Sequence, residues 1–125
     1  MSNGMDLFKV TGELKNSTFI FHVSPWKLLI ETNRYYEIKP QAGAVKRIYK
    51  EKVNVISDDI KHYAEGFLSC SAFCREDSIP DIQRNIVHHL QTTLHAYLND
   101  LHLNQSAIDQ QLLLLRNRQF AQISI

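Results

Sequence analysis

The sequence predicts an α+β fold: an N-terminal antiparallel sheet of four or five strands over about residues 5–56, followed by two or three helices. Three observations carry this expectation. Apolar and polar residues alternate up to Ile56, the apolar repeat lengthens to three or four residues after Ser57, and turn-forming residues separate the alternating stretches. With 125 residues, 44% of them hydrophobic and 22% charged, the chain is expected to form one α+β domain, 1–125, with a core of its own.

Met5–Leu14 and Thr18–Ser24 read as paired strands around the turn Lys15-Asn16-Ser17. In the second strand Phe19, Phe21 and Val23 share one face, and Thr18, His22 and Ser24 the other. Pro25 punctuates. Trp26, Leu28 and Ile30 then alternate with Lys27, Leu29 and Glu31, and Tyr35–Ile38 follows across Asn33-Arg34. Pro40–Ala44 reads as a loop, and the β-branched Val53, Val55 and Ile56 favour one long strand over Val45–Ile56. The order suggests an antiparallel meander.

Ser57-Asp58-Asp59 has the composition of a helix start, a hydroxyl followed by two acids. Ile60, Tyr63, Ala64, Phe67 and Leu68 then predict a helix over about 58–75. Ser78 and Asp81 have capping-box spacing with Pro80 in the first turn. From there Ile79, Ile82, Ile86, Leu90, Leu94, Tyr97 and Leu101, flanked by Val87 and Leu98, form one apolar face of a helix over about 79–103. Arg84, His88, Gln91, His95, Asn99 and His102 take the opposite face. A last helix over about 107–118 is expected after Ser106, carrying Leu112–Leu115.

A net charge of +1 speaks against a protein that works by bulk attraction to nucleic-acid phosphate. Charge is nevertheless sorted along the chain. From Arg34 to Lys52 six basic residues face two acids, and from Asp58 to Asp100 seven acids face three basic residues. The N-terminus lacks the basic flank and apolar run of a secretory signal, and the longest apolar run, Leu112–Leu115, is far short of a membrane span. Two cysteines make no disulfide framework, so a reducing cytoplasm is the expected compartment, without a membrane.

Cys70-x3-Cys74 followed by His88 and His95 superficially approaches a zinc pattern. Helical spacing opposes it: His88 and His95 lie about 10.5 Å apart along a helix axis, too far to share one ion. No metal or cofactor is expected, and the two thiols are assigned to the core.

Arg84-Asn85-Ile86-Val87-His88-His89 resembles the Arg-x4-His motif of HEPN-domain ribonucleases. The resemblance implies that Arg84 would hold a scissile phosphate, Asn85 would be the polar neighbour and His89 would transfer a proton. It covers six residues only. Arg84 and His89 lie about 140° apart on a regular helix, so such a site would have to be composed across a dimer. The C-terminal third allows the first alternative, a nucleic-acid-binding regulator, ahead of the ribonuclease reading. Asn104 to Leu112 looks like the start of a winged-helix recognition helix, with Gln105, Ser106 and Gln110 as base readers and Arg116 and Arg118 on phosphates.

No glycine-rich phosphate loop occurs, the sequence supports no Ser/His/Asp or Cys/His arrangement, and Cys74 is not flanked by a base. The leading expectation is therefore a non-enzymatic protein–protein interaction module: an adaptor, chaperone or inhibitor acting through its amphipathic helix and a basic strand face. Lys46, Arg47, Lys50 and Lys52 would meet another protein with an acidic surface. A homodimer is expected, because the apolar face from Ile79 to Leu101, with Leu112–Leu115, exceeds what a five-stranded sheet can cover.

Overall fold

The computed structural model describes residues 6–118. Its sheet has six antiparallel strands: β1 (Leu7–Lys15), β2 (Thr18–Glu31), β3 (Tyr35–Pro40), β4 (Lys46–Tyr49), β5 (Ser57–His62) and β6 (Phe67–Cys74). One long helix, α1 (Ile79–Asn117), follows. The strand order is β4-β3-β2-β1-β6-β5. The α+β class and the meander of β1 to β4 agree with expectation; the strand and helix counts do not.

β1 and β2 pair from Leu7↔Trp26 to Lys15↔Thr18, turning at Asn16, whose φ of 54° is left-handed. The two strands expected on either side of Pro25 are one. β2 pairs with β1 up to Trp26, and with β3 only from Trp26↔Pro40 onward. Pro25 therefore sits just beyond the end of β3, where its missing N–H leaves no ladder bond unmade.

The long strand expected over Val45–Ile56 is also corrected. β4 stops at Tyr49 and a single tight turn occupies Lys50–Lys52. Asn54 then adopts a left-handed φ of 67° and donates its N–H to the Phe73 carbonyl at 2.8 Å.

The largest correction concerns 58–75, a β-hairpin where a helix was expected. β5 and β6 pair from Ser57↔Ser71 to His62↔Phe67, turning through Tyr63–Glu65 and the left-handed Gly66 (φ 64°). Seven consecutive β6 residues, Leu68 to Cys74, are buried. A strand buried on both faces shows no alternation, and periodicity then cannot separate it from a buried helix.

The sheet carries apolar clusters on both faces. On one, Ile82, Ile86 and Leu90 of α1 pack against Val10, Leu68, Cys70, Ala72 and Cys74. The register places Gly12 on this face, and a Cβ built there would lie 2.4 Å from Ile86 Cγ2. Glycine is required because the helix lies directly on the strand.

On the other face Leu7, Tyr36, Ile38, Ile48 and Phe73 form a second cluster, flanked by Trp26, Leu28 and Val53. β4 and β6 are four strand spacings apart, about 19 Å in a flat sheet. Ile48 and Phe73 share a cluster only because the sheet curls, helped by register shifts at Leu28/Ile30 in β2 and Asp58/Ile60 in β5. The concave face of this curl is the one opposite α1.

The chain divides into two compact units, one reaching to Gln91 and one beginning at Thr92. The first holds the sheet and its docked helical turns; the second is the rest of α1. The two separate helices expected over 79–103 and 107–118 are this single element. No glycine or proline occurs between Asp81 and Asn117 to interrupt it, and Ser106 sits in mid-helix.

Candidate functional site

The four basic residues assigned to a partner surface divide into two pairs with different surroundings. Arg47 lies 3.7 Å from Glu37 and stacks on the Tyr35 ring at 4.0 Å. A hydrogen bond with Tyr49, with the charge of Tyr35, raises its pKa further. Lys50 donates to Glu31 at 2.7 Å and lies over the Tyr36 ring. Both are engaged in holding β2, β3 and β4 together.

Lys46 and Lys52 have no such ion pair among the described residues and, together with Arg47, line a cavity of about 310 Å³ at the mouth of the curl. Sequence reasoning missed its third lysine, Lys9 of β1, which is brought in by the curl alone. Phe73 contributes its ring, with Lys9 Nζ 5.9 Å and Lys46 Nζ 5.4 Å from the same ring centroid. Ser57, Ser71 and Asp59 add polar groups. Lys9 also lines a neighbouring, wider hollow of about 650 Å³ with Thr11, His22, Ser24 and Trp26.

The residues of the HEPN-like motif are separated. Arg84 is ion-paired with Asp81, one helical turn earlier. His89 is hydrogen-bonded to Asp58 of β5 at 2.7 Å, and Lys61 reaches the same carboxylate at 3.2 Å. Burial pushes the Asp58 carboxyl up, but the hydrogen bonds from His89 and Lys61 outweigh it and hold the pKa below its ordinary value. The cluster clamps α1 to the sheet edge.

Both thiols are buried in the helix-facing cluster, on a strand rather than a helix. Burial, with smaller contributions from Asp58 and Asp59, pushes Cys70 up to about 12, and burial raises Cys74 as well. Among the described residues no group of three or more His, Cys, Asp or Glu side chains is placed to hold a metal ion.

Gln105, Ser106, Gln110 and Arg116 all lie on α1, with Arg118 just past its end. The turn that a helix–turn–helix requires near Asn104 is helical, so these residues do not form a separate recognition helix. Among the described residues no helix is long and apolar enough to cross a membrane.

The second unit has one conspicuous property. Leu94, Leu98, Leu101, Ile108, Leu112 and Leu115 are all exposed, from 39% at Leu94 to 60% at Leu115. Their spacing alternates four and three, with Gln105 filling the one remaining position. That is a heptad seam of three repeats, with Leu98, Gln105 and Leu112 at one core position and Leu94, Leu101, Ile108 and Leu115 at the other.

No protein-family model matches the chain, no curated protein matches it in sequence, and no solved structure matches its fold.

Proposed function

We propose that the protein is a non-enzymatic interaction module that pairs with a second copy of itself along Leu94–Leu115, forming a parallel two-stranded coiled coil. The heptad seam carries this reading. A helix that stands in solvent by itself usually depends on charged pairs three or four residues apart. Between Thr92 and Asn117 none is formed among the described residues, whereas six large apolar side chains share one stripe. Covering the exposed part of each would contribute on the order of 1 kcal/mol per side chain.

Three features favour a second copy, in register, as the occupant. A straight seam with one repeat is complementary to itself. Gln105 meets its own counterpart only in a parallel, in-register pair, where the two amides can hydrogen-bond across the core. In an antiparallel pair it would face Ile108 and leave a polar group unsatisfied. The flanking positions of a parallel pair set Tyr97 against His102, Asn104 against Asp109 and Gln111 against Arg116, with no like charges opposed.

Sedimentation equilibrium tests the reading. The parent chain is expected at twice its monomer mass at micromolar concentration. Leu101→Glu with Leu112→Glu is expected to be monomeric, with the sheet's circular dichroism retained, because neither residue belongs to the buried clusters. A parent that sediments as a monomer, or a double variant that still pairs, would refute it.

A further inference from the structure

We propose that the cavity between β4 and β5, at the mouth of the curled sheet, binds a small phosphate-bearing molecule. The proposal is independent of self-pairing, since every lining residue lies in the first unit. Four cations line this cavity, Lys9, Lys46, Arg47 and Lys52, against one carboxylate, Asp59. Glu37 already neutralises Arg47. No acid lies within ion-pair distance of Lys9, Lys46 or Lys52 among the described residues.

Two of these ammonium groups lie within 5.9 Å of one point, the centroid of Phe73. Both ammonium groups line the cavity beside this ring, and a dianion lying between them would accept a charge-assisted hydrogen bond from each. The Ser57 and Ser71 hydroxyls are further donors on the same wall. Phe73, Ile48 and Val55 supply an apolar floor for the uncharged part of the ligand. The volume of about 310 Å³ is at the small end of ligand cavities, which fits a compact metabolite and not a protein surface. A carboxylate brings one charge to a site where three unpaired ammonium groups outnumber the single carboxylate of Asp59; a phosphate or diphosphate brings more.

Trp26 is the only tryptophan, and its ring meets Phe73 edge-on at 5.1 Å. Its fluorescence therefore reports on the floor of the cavity. Inorganic pyrophosphate at low salt is expected to change that fluorescence saturably, with one site per chain by calorimetry. Lys9→Gln and Lys46→Gln, each checked for retained circular dichroism, should each weaken binding about tenfold. Arg47→Gln should weaken it by about twofold or less, because Glu37 already holds that charge. No saturable signal from the parent would overturn the proposal, as would equal loss in all three variants or none in the lysine variants. Tighter binding of a hexaglutamate peptide than of pyrophosphate would also overturn it, and would assign the site to an acidic protein segment instead.

Discussion

Gly12 and Ile86 offer the sharpest test of how α1 is seated. Gly12→Ala would place a methyl carbon 2.4 Å from Ile86 Cγ2, whereas carbon atoms settle at about 3.5–4.0 Å. Ile86 is fully buried, and as a β-branched residue in a helix it is confined to one rotamer. The overlap therefore has to be relieved by moving the helix off the sheet, at a cost of about 1–3 kcal/mol. Ile86→Ala removes the offending carbon but leaves a cavity, and should cost about 2–5 kcal/mol. In the double variant the new methyl fills part of that cavity. Its cost should fall short of the sum of the single costs by about 1–3 kcal/mol. Urea unfolding followed by circular dichroism measures all three differences at constant slope. If Gly12→Ala were neutral, or if the two costs simply added, α1 would not lie on β1 at this position.

Other consequences follow from the titrating and reactive groups. Asp58 has a depressed pKa in the folded protein, so the stability it contributes is present above its ordinary value of 3.8 and is lost as pH falls through the folded value. Asp58→Asn should therefore be less stable than the parent near neutral pH, by about 1 kcal/mol or less because the clamp is partly solvated. The gap should close in strong acid; a gap that persisted there would deny the clamp. Cys70 and Cys74, buried and with raised pKa values, should resist alkylation by iodoacetamide at mildly alkaline pH until denaturant is added. Labelling at the rate of a free thiol would show the β6 cluster to be open.

The hairpin β1–β2 was legible in the sequence because polar Lys9, Thr11 and Glu13 alternate with Val10 and Leu14, and Asn16 marks the turn. β6 was not, since burial on both faces erases the alternation, and Tyr63, Ala64, Phe67 and Leu68 mimic a helical repeat across what is a turn. Pro25 misled for a different reason. A proline argues against a central strand, but β2 is paired on one side only at that point, which depends on where β3 ends. The amphipathic character of α1 was evident from Ile79 to Leu101, yet polar Asn104-Gln105-Ser106 suggested a break where the helix continues. Of the cavity's cations, Lys46, Arg47 and Lys52 could be named beforehand. Lys9, some forty residues earlier, joins them only through the curl, which leaves no local signature.

Self-pairing along α1 in register is the claim on which the functional reading turns, and a single introduced thiol tests it most directly. Because both native cysteines are buried, Gln105→Cys supplies one reactive group, at the centre of the seam. Under mild oxidation it should form a covalent dimer efficiently, while Gln110→Cys, on the far side of the same helix, should not. A Gln105→Cys chain that stays monomeric, or a Gln110→Cys chain that links equally well, would contradict the parallel coiled coil.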